Sequence, residues 1–299
     1  MRLRVSSTVS APAADGGPAA DGEPAPDGEP AADLVPVRDA STVMLVRDAE
    51  GVEVFAFRRV RRMAFAAGML VFPGGSVDPQ DRSDQLPWRR RPAGSELAAA
   101  GSELVAAAVR ETFEECGVLL AVPDPGATSP GDGSAGVDAV APDTDLVALR
   151  EALLDGRCTL ADVLHRRGLA LDADLLHPWA RWVTPPGEVR RFDTRFYLAR
   201  VPAGQEPLDL GGEGEGAAWL NARTALARHA AGELPMLPPT LVAIEELAAA
   251  ESVEALFATR RAVSVVRPEV IDVQRADGSI ERVLRIEVGD DGQATGSVR

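Results

Sequence analysis

The 299-residue sequence contains no lysine, so that all 31 of its basic residues are arginines. This absence excludes mechanisms that need a Schiff-base lysine or a P-loop lysine. Cysteine is almost absent as well, since Cys116 and Cys158 are the only two, too few for a disulfide framework. Three widely spaced histidines leave little for a histidine-rich zinc site. We therefore expect both cysteines to be reduced thiols, and we expect the chemistry of the protein to depend on side chains other than lysine, cysteine and histidine.

Positive charge and long apolar segments are also scarce. The formal net charge is −15, which argues against a nucleic-acid-binding surface because such surfaces carry basic patches. No apolar run approaches the roughly 20 residues of a membrane span, and residues 1–10 have no apolar signal-peptide core. The last residues, 297–299, are not a Ser-Lys-Leu-type address. We expect no nucleic-acid partner, no membrane contact and a cytoplasmic location.

Shifts in composition divide the chain into three parts. An apolar fraction of 45% is enough to bury a core. An imperfect Ala/Pro/Gly/Asp repeat with no large apolar residue predicts a disordered tail over residues 1–37. The main domain is predicted over 38–262, and a C-terminal hairpin extension and tail over 263–299. Within the main domain we predict a loop insertion at about 79–100, a flexible segment at 122–145 and a helical insert at 146–178.

The pattern of apolar residues predicts mixed strands and helices. Residues 40–46 and 52–58 are β-branched and apolar around a turn, which is typical of a hairpin. A helix is predicted from about 101 to 116, ending at Gly117, and a further helix over 239–260. Such interleaving predicts an α/β or α+β sandwich. For the terminal hairpin, homodimer formation, capping of the sheet and simple extension remain open alternatives.

Three glutamates on the predicted helix carry the strongest chemical signal. Glu111, Glu114 and Glu115 stand at i, i+3 and i+4 and therefore share one helix face. Like charges at this spacing repel each other, and a hard divalent cation removes that cost because Mg²⁺ and Mn²⁺ prefer oxygen ligands. Taken alone, the cluster also fits a solvated acidic face.

The surrounding residues resemble the Nudix box, Gly-x5-Glu-x7-Arg-Glu-U-x-Glu-Glu-x-Gly-U, in which U is a bulky apolar residue. Its second half matches residues 110–118, beginning at Arg110, and its first half matches Phe72-Pro73-Gly74-Gly75. The spacing departs from the box, because 34 residues separate Gly75 from Arg110. Counting back from Arg110 lands on Ser102, so that Glu103 is the favoured first glutamate by helical projection and Glu96 the alternative.

Residues outside the box narrow the resemblance. The stretch 68–81, the long box insertion, Trp179 to Pro185 and Arg191 to Thr194 are similar to the peroxisomal-type acyl-CoA diphosphatase branch of the Nudix hydrolases, over roughly residues 40–260. This resemblance implies a Nudix α/β/α sandwich with a mixed sheet. It also implies metal-dependent cleavage of a nucleoside diphosphate derivative, with coenzyme A or acyl-CoA favoured. Another Nudix substrate (ADP-ribose, a dinucleotide or a nucleoside triphosphate) and a non-catalytic nucleotide-binding regulator are the alternatives.

The resemblance also implies roles for particular residues. Glu111, Glu114, Glu115 and the Gly74 carbonyl would hold Mg²⁺ or Mn²⁺, Glu111 would take the proton from water, and Arg110 would orient a carboxylate. Glu103 and Glu215 are candidate additional carboxylates. The arginines proposed to grip the phosphates of a small nucleotide substrate are Arg58, Arg59, Arg61, Arg62 and Arg191. Surface charge is the alternative explanation for these arginines.

Overall fold

A computed structural model describes residues 35–59, 68–93, 101–126, 144–208, 214–259, 261–274, 280–288 and 294–295. The strands are β1 (Val37–Ala49), β2 (Gly51–Arg59), β3 (Leu70–Val71), β4 (Gly74–Ser76), β5 (Trp88–Arg90), β6 (Val122–Pro123), β7 (Leu169–Asp172), β8 (His177–Val183), β9 (Arg191–Arg200), β10 (Gly214–Asn221), β11 (Val265–Val266), β12 (Glu269–Gln274), β13 (Ile280–Arg285), β14 (Glu287–Val288) and β15 (Ala294–Thr295). The helices are α1 (Ser102–Cys116), α2 (Thr144–Leu154), α3 (Leu160–Arg167), α4 (Ala222–Ala230), α5 (Pro238–Ala249) and α6 (Val253–Ala258). Short 3₁₀ turns cover Pro79–Arg82 and Ala173–Leu175.

A mixed sheet forms the centre of the fold. Its strand order is β10-β2-β1-β9-β8-β11, with β3 added to β2 and β4 added to β1. The predicted hairpin of β1 and β2 is antiparallel, whereas β1 and β9 run parallel over ten residue pairs. β1 therefore lies at the middle of the sheet. β4 pairs with its N-terminal half, which places Gly74 and Gly75 beside Thr42 and Ser41.

Side chains alternate along β1 and so divide the core in two. Val43 and Leu45 pack with α1, α2 and α3 on one face. Met44 and Val46 pack with α4, α5 and α6 on the other face. Strand periodicity produces this division because successive side chains point to opposite sides of a sheet. The layers confirm the α/β/α sandwich, and α1 lies on the first of the two faces.

Three segments differ from the expected secondary structure because local hydrogen bonds form strands, turns or a helix cap there. The segment expected to be a loop from 79 contains a 3₁₀ turn and the strand β5, which pairs with β7. The flexible segment expected from 122 begins with β6, also paired to β7. The expected helix over 239–260 is divided into α5 and α6, because Ser252 caps a new helix through its side chain.

Other expectations are confirmed or lie outside the described residues. Helix α1 ends at Gly117, whose left-handed backbone (φ 77°) closes the last turn onto Phe113. The terminal hairpin is formed by β12 and β13. Of the tail expected over 1–37, residues 1–34 lie outside the described residues and Val37 already belongs to β1. Among the described residues, no helix is long and apolar enough to cross a membrane.

Candidate active site

Helix α1 holds the acidic cluster at the surface of the sandwich. Its side chains Val105, Val109 and Phe113 are buried in the core on the α1 face of the sheet. Glu111 and Glu114 lie on the other side of the helix, with 15% and 16% of their side chains exposed. The amphipathic pattern thus anchors the helix by one face and leaves the carboxylates half-buried.

Arg110 uses all five of its N–H donors, four of them on carboxylates and one on a backbone carbonyl. Its Nε and Nη2 donate to the two carboxylate oxygens of Asp81, each over 2.9 Å. Nη2 also donates to the Ser76 carbonyl over 2.9 Å. Nη1 donates to Glu111 Oε1 over 2.9 Å and to Glu114 Oε2 over 3.0 Å. The guanidinium is therefore saturated and fixes the positions of three acidic side chains at once.

Asp81 is a site residue that the sequence reasoning missed. Its side chain is fully buried, and it lies in the 3₁₀ turn that Asp78 caps in a reciprocal capping box. The spacing Gly75-x5-Asp81 matches the first half of the box when it is counted forward from the glycine. Counting back from Arg110 led to Glu103 instead, because the insertion follows the first acidic position and does not precede it.

The two glycines of β4 bring the backbone close to the cluster. The Gly74 amide donates to Glu115 Oε2 over 2.7 Å. A Cβ at Gly75 would lie 2.7 Å from Glu111 Oε2, and one at Gly74 would lie 2.7 Å from the Thr42 Cα. Real Cβ atoms do not approach other atoms so closely, so that Gly74, which meets backbone atoms of β1, needs to be glycine. A Cβ at Gly75 would displace the Glu111 carboxylate.

Burial and charge set the protonation behaviour of the cluster. Burial raises the pKa of Glu111 to about 7, against the opposing effect of Arg110 and together with the charge of Glu114. Burial also raises the pKa of Glu114, again opposed by Arg110. Burial alone would lower the pKa of Arg110. Its hydrogen bond to Asp81 and the charges of the nearby carboxylates outweigh burial and raise the pKa above its ordinary value, so that Arg110 stays charged. Glu111 can therefore exchange a proton near neutral pH.

An open cleft of about 610 Å³ adjoins Glu111 and Arg110. The volume falls within the range of small-molecule sites. The other charged side chains that line it are Arg38, Asp39, Asp78 and Arg82. The acidic cluster thus lies beside a space large enough for a nucleotide.

The structure does not bring Arg58 to this cleft. Arg58 has the same strand parity as Val54 and Ala56, which are buried on the sheet face away from α1. Its Nη2 donates to the Glu233 carbonyl. Arg61 and Arg62 lie outside the described residues, and only the backbone of Arg59 is described.

The other residues that the sequence suggested for the site are Arg191, Glu103, Glu215 and Glu96. Arg191 donates to the Thr184 carbonyl over 3.3 Å and to the Val35 carbonyl over 3.4 Å. Glu103 lies in the first turn of α1, where its carboxylate folds back toward Gly101. Glu215 is placed in β10 opposite Arg58, and its side chain is not described. Glu96 lies outside the described residues.

The comparison with protein families agrees with this geometry. The family profile described as "NUDT19 Nudix domain" matches residues 87–247, a range that includes α1 and its glutamates. A crystal structure of a NUDIX hydrolase from Alicyclobacillus acidocaldarius is 34% identical, with a TM-score of 0.62, over 76% of this chain and 97% of that chain. The chain belongs to the Nudix hydrolase family, whose members generally depend on a divalent metal ion.

Two curated relatives point to one branch of this family. The chain is 27% identical over 250 residues to "Acyl-coenzyme A diphosphatase NUDT19" of Gallus gallus, which covers 68% of this chain and 65% of the relative. It is 30% identical over 236 residues to the Homo sapiens protein of the same name, over 67% of this chain and 61% of the relative. The match thus spans somewhat less than two thirds of these relatives.

Proposed function

We propose that this protein hydrolyses the diphosphate of coenzyme A or of an acyl-CoA. The products would be adenosine 3′,5′-bisphosphate and 4′-phosphopantetheine, or its acylated form. The proposal includes dependence on Mg²⁺ or Mn²⁺, a small-molecule nucleotide as the substrate, and a cytoplasmic location. The relatives named acyl-coenzyme A diphosphatase support the choice of substrate.

The arrangement around Arg110 is the observation that carries the proposal. One guanidinium holds Asp81, Glu111 and Glu114, while β4, which pairs with β1, holds Glu115 through the Gly74 amide. A solvated acidic face would not need a buried arginine that uses every donor. This arrangement gathers the carboxylates beside the cleft, where the proposal places the cation and the diphosphate.

The chemistry of these residues fits a hard divalent cation. Three carboxylates (Asp81, Glu111 and Glu114) accept from the one guanidinium of Arg110, and a fourth, Glu115, accepts from the Gly74 amide. Burial raises the pKa of Glu111 to about 7. Among the described residues, no three potential ligands already form a cluster of metal-binding geometry. We infer that Glu111, Glu114, Glu115 and the Gly74 carbonyl would hold the cation after side-chain rotation.

The roles of the protein's own groups follow from their positions. When bound, the cation neutralises phosphate charge and lowers the pKa of a coordinated water. Glu111 borders the cleft and accepts the proton of the attacking water, since its pKa lies near neutrality. Arg110 orients Glu111 and Glu114 through its Nη1, and Asp81 holds Arg110 in place.

The test is a substrate panel with identification of the products. Coenzyme A, acetyl-CoA, ADP-ribose, a diadenosine polyphosphate and a nucleoside triphosphate are incubated with the full chain and Mg²⁺ or Mn²⁺. The proposal predicts adenosine 3′,5′-bisphosphate from both coenzyme A compounds, and none after addition of a chelator. Intact coenzyme A alongside a cleaved ADP-ribose, dinucleotide or triphosphate would assign another Nudix substrate. No cleavage of any compound would favour a non-catalytic nucleotide-binding protein.

A further inference from the structure

Two arginines at the cleft have side-chain donors that no other group in the described part of the chain uses. Arg38 on β1 and Arg82 at the end of the 3₁₀ turn both line the cleft and are exposed. Among the described residues, neither has a hydrogen-bond or ion-pair partner, whereas Arg58, Arg110 and Arg191 donate to protein oxygens. The cleft therefore contains two cations that are available to a ligand.

The backbones of both arginines are fixed relative to the acidic cluster. The Val77 amide donates to the Asp39 carbonyl over 2.9 Å, which joins the segment leading to Arg82 to the strand residue next to Arg38. Arg82 also directly follows Asp81, whose carboxylate binds Arg110. The two guanidinium groups are thus carried on anchored backbone, and their long side chains can adjust to an anion.

The carboxylates that line the cleft do not neutralise these arginines by contact. Asp78 Oδ1 accepts the Gln80 amide over 3.0 Å and so caps the 3₁₀ turn. Asp39 contributes to the raised pKa of Arg181, which places its charge near that side chain. Glu111 is held by Arg110. Arg38 and Arg82 therefore stay uncompensated by these three carboxylates, and Arg38 lines the cleft at the N-terminal end of β1, before the pairing with β4 begins at Ala40.

We propose that Arg38 and Arg82 bind a phosphate group of the substrate other than the diphosphate that is cleaved. The cleaved group must reach Glu111, whose side chain is 15% exposed and bound to the buried Arg110, whereas Arg38 and Arg82 are exposed. The volume of about 610 Å³ leaves room for a nucleoside beyond the diphosphate. In coenzyme A the additional phosphate is the ribose 3′-phosphate, an identity that rests on the proposed function. Guanidinium groups bind such dianions through charge-assisted hydrogen bonds.

The test is calorimetric binding of adenosine 3′,5′-bisphosphate and of adenosine 5′-monophosphate to the full chain. Arg38→Gln and Arg82→Gln should each weaken binding of the bisphosphate about tenfold, the loss of one charge-assisted contact, and should change binding of the monophosphate little. The matched control is Arg228→Gln, an exposed arginine on α4 behind the sheet, which should leave both affinities unchanged. Thermal melting of each variant checks the fold.

Two results would overturn the inference. Unchanged bisphosphate affinity in both cleft variants would remove Arg38 and Arg82 from the binding site. An equal loss for the monophosphate would place them at the 5′-phosphate instead. The proposed function and this subsite can fail independently. If coenzyme A stays intact while the cleft variants weaken binding of the bisphosphate, only the proposed activity is refuted. Cleaved coenzyme A with unaltered binding in both variants refutes this subsite alone.

Discussion

The Asp81 carboxylate and the Arg110 guanidinium form a buried, two-point ion pair across 29 residues of sequence, with both N–O distances at 2.9 Å. Neither side chain is more than 6% exposed. This pair connects the first half of the Nudix motif to helix α1, in spite of the insertion between them. The orientation of Glu111 and Glu114 depends on it, because both accept from the same arginine.

Replacement of Asp81 should therefore lower the catalytic rate, although the buried Asp81 side chain acts through Arg110 and does not touch the substrate. Asp81→Asn removes a charge from a buried pair, which should cost about 3 to 5 kcal/mol of stability and lower kcat by about 10 to 100-fold, with a smaller change in KM. Asp81→Glu should restore part of kcat. Asp155→Asn, in an exposed pair with Arg157, is the control. A loss of stability with normal kcat in the folded fraction would limit Asp81 to a structural role.

The approach of Gly75 to Glu111 leads to a second prediction. A methyl group at Gly75 would overlap the Glu111 carboxylate, so that Gly75→Ala should displace Glu111 and lower kcat by about 100-fold or more. Gly126→Ala is the matched control, because its Cβ would make only a van der Waals contact with Asp124. Steady-state kinetics on both variants, with circular dichroism to check folding, make the comparison. Wild-type turnover by Gly75→Ala would show that Glu111 has no fixed catalytic position.

The raised pKa of Glu111 predicts a pH-dependent stability of the metal-free protein. Its pKa is about 7 in the folded chain, against an ordinary value of 4.5. Between these two values the unfolded chain loses the proton and the folded chain keeps it. Glu111 should therefore reduce the free energy of unfolding progressively from about pH 4.5 to pH 7, by roughly 3 kcal/mol in total.

Glu111→Gln removes this titration and gives the measurement. With chelator present, the variant should be more stable than the wild type at pH 8, and the difference should disappear at pH 4.5. Urea unfolding at both pH values measures it. Glu254→Gln, an exposed glutamate on α6, should show no such pH-dependent difference. An equal effect of Glu111→Gln at both pH values would contradict a raised pKa.

A divalent cation should stabilise the folded chain through the same carboxylates. Mg²⁺ or Mn²⁺ at about 100 times its dissociation constant should add about 2.7 kcal/mol and raise Tm. The shift should be absent from Glu114→Gln and Glu115→Gln and unchanged in Glu254→Gln. Differential scanning fluorimetry with and without chelator records it. A full shift in both glutamate variants would place the cation elsewhere.

The sequence predicts the local part of this site better than the long-range part. The glutamates of α1 share one face because the spacing of an α-helix fixes their directions, and Gly117 ends the helix as expected. The pairing of Asp81 with Arg110 depends on where an insertion falls between two halves of a motif. The capping box around Asp78 and the forward count from Gly75 were the signals that could have located Asp81.

Charge alone did not identify the arginines that face the cleft. Four arginines near residue 60 suggested a phosphate site, yet Arg58 donates to the Glu233 carbonyl and is not among the described residues that line the cleft. Arg38 and Arg82 line the cleft and are isolated in sequence, and the pairing of β1 with β4 brings their two chain segments together. A non-local contact of this kind has no local sequence pattern.

Turnover of coenzyme A by the two glutamate variants of α1 tests the central claim most directly. Glu114→Gln and Glu115→Gln keep the size of the side chain and remove its charge, and Glu254→Gln is the control. If these carboxylates hold the catalytic cation, release of adenosine 3′,5′-bisphosphate should fall by orders of magnitude in each variant and stay at the wild-type rate in the control. Near-normal release by both variants would contradict the assignment of α1 as the catalytic helix.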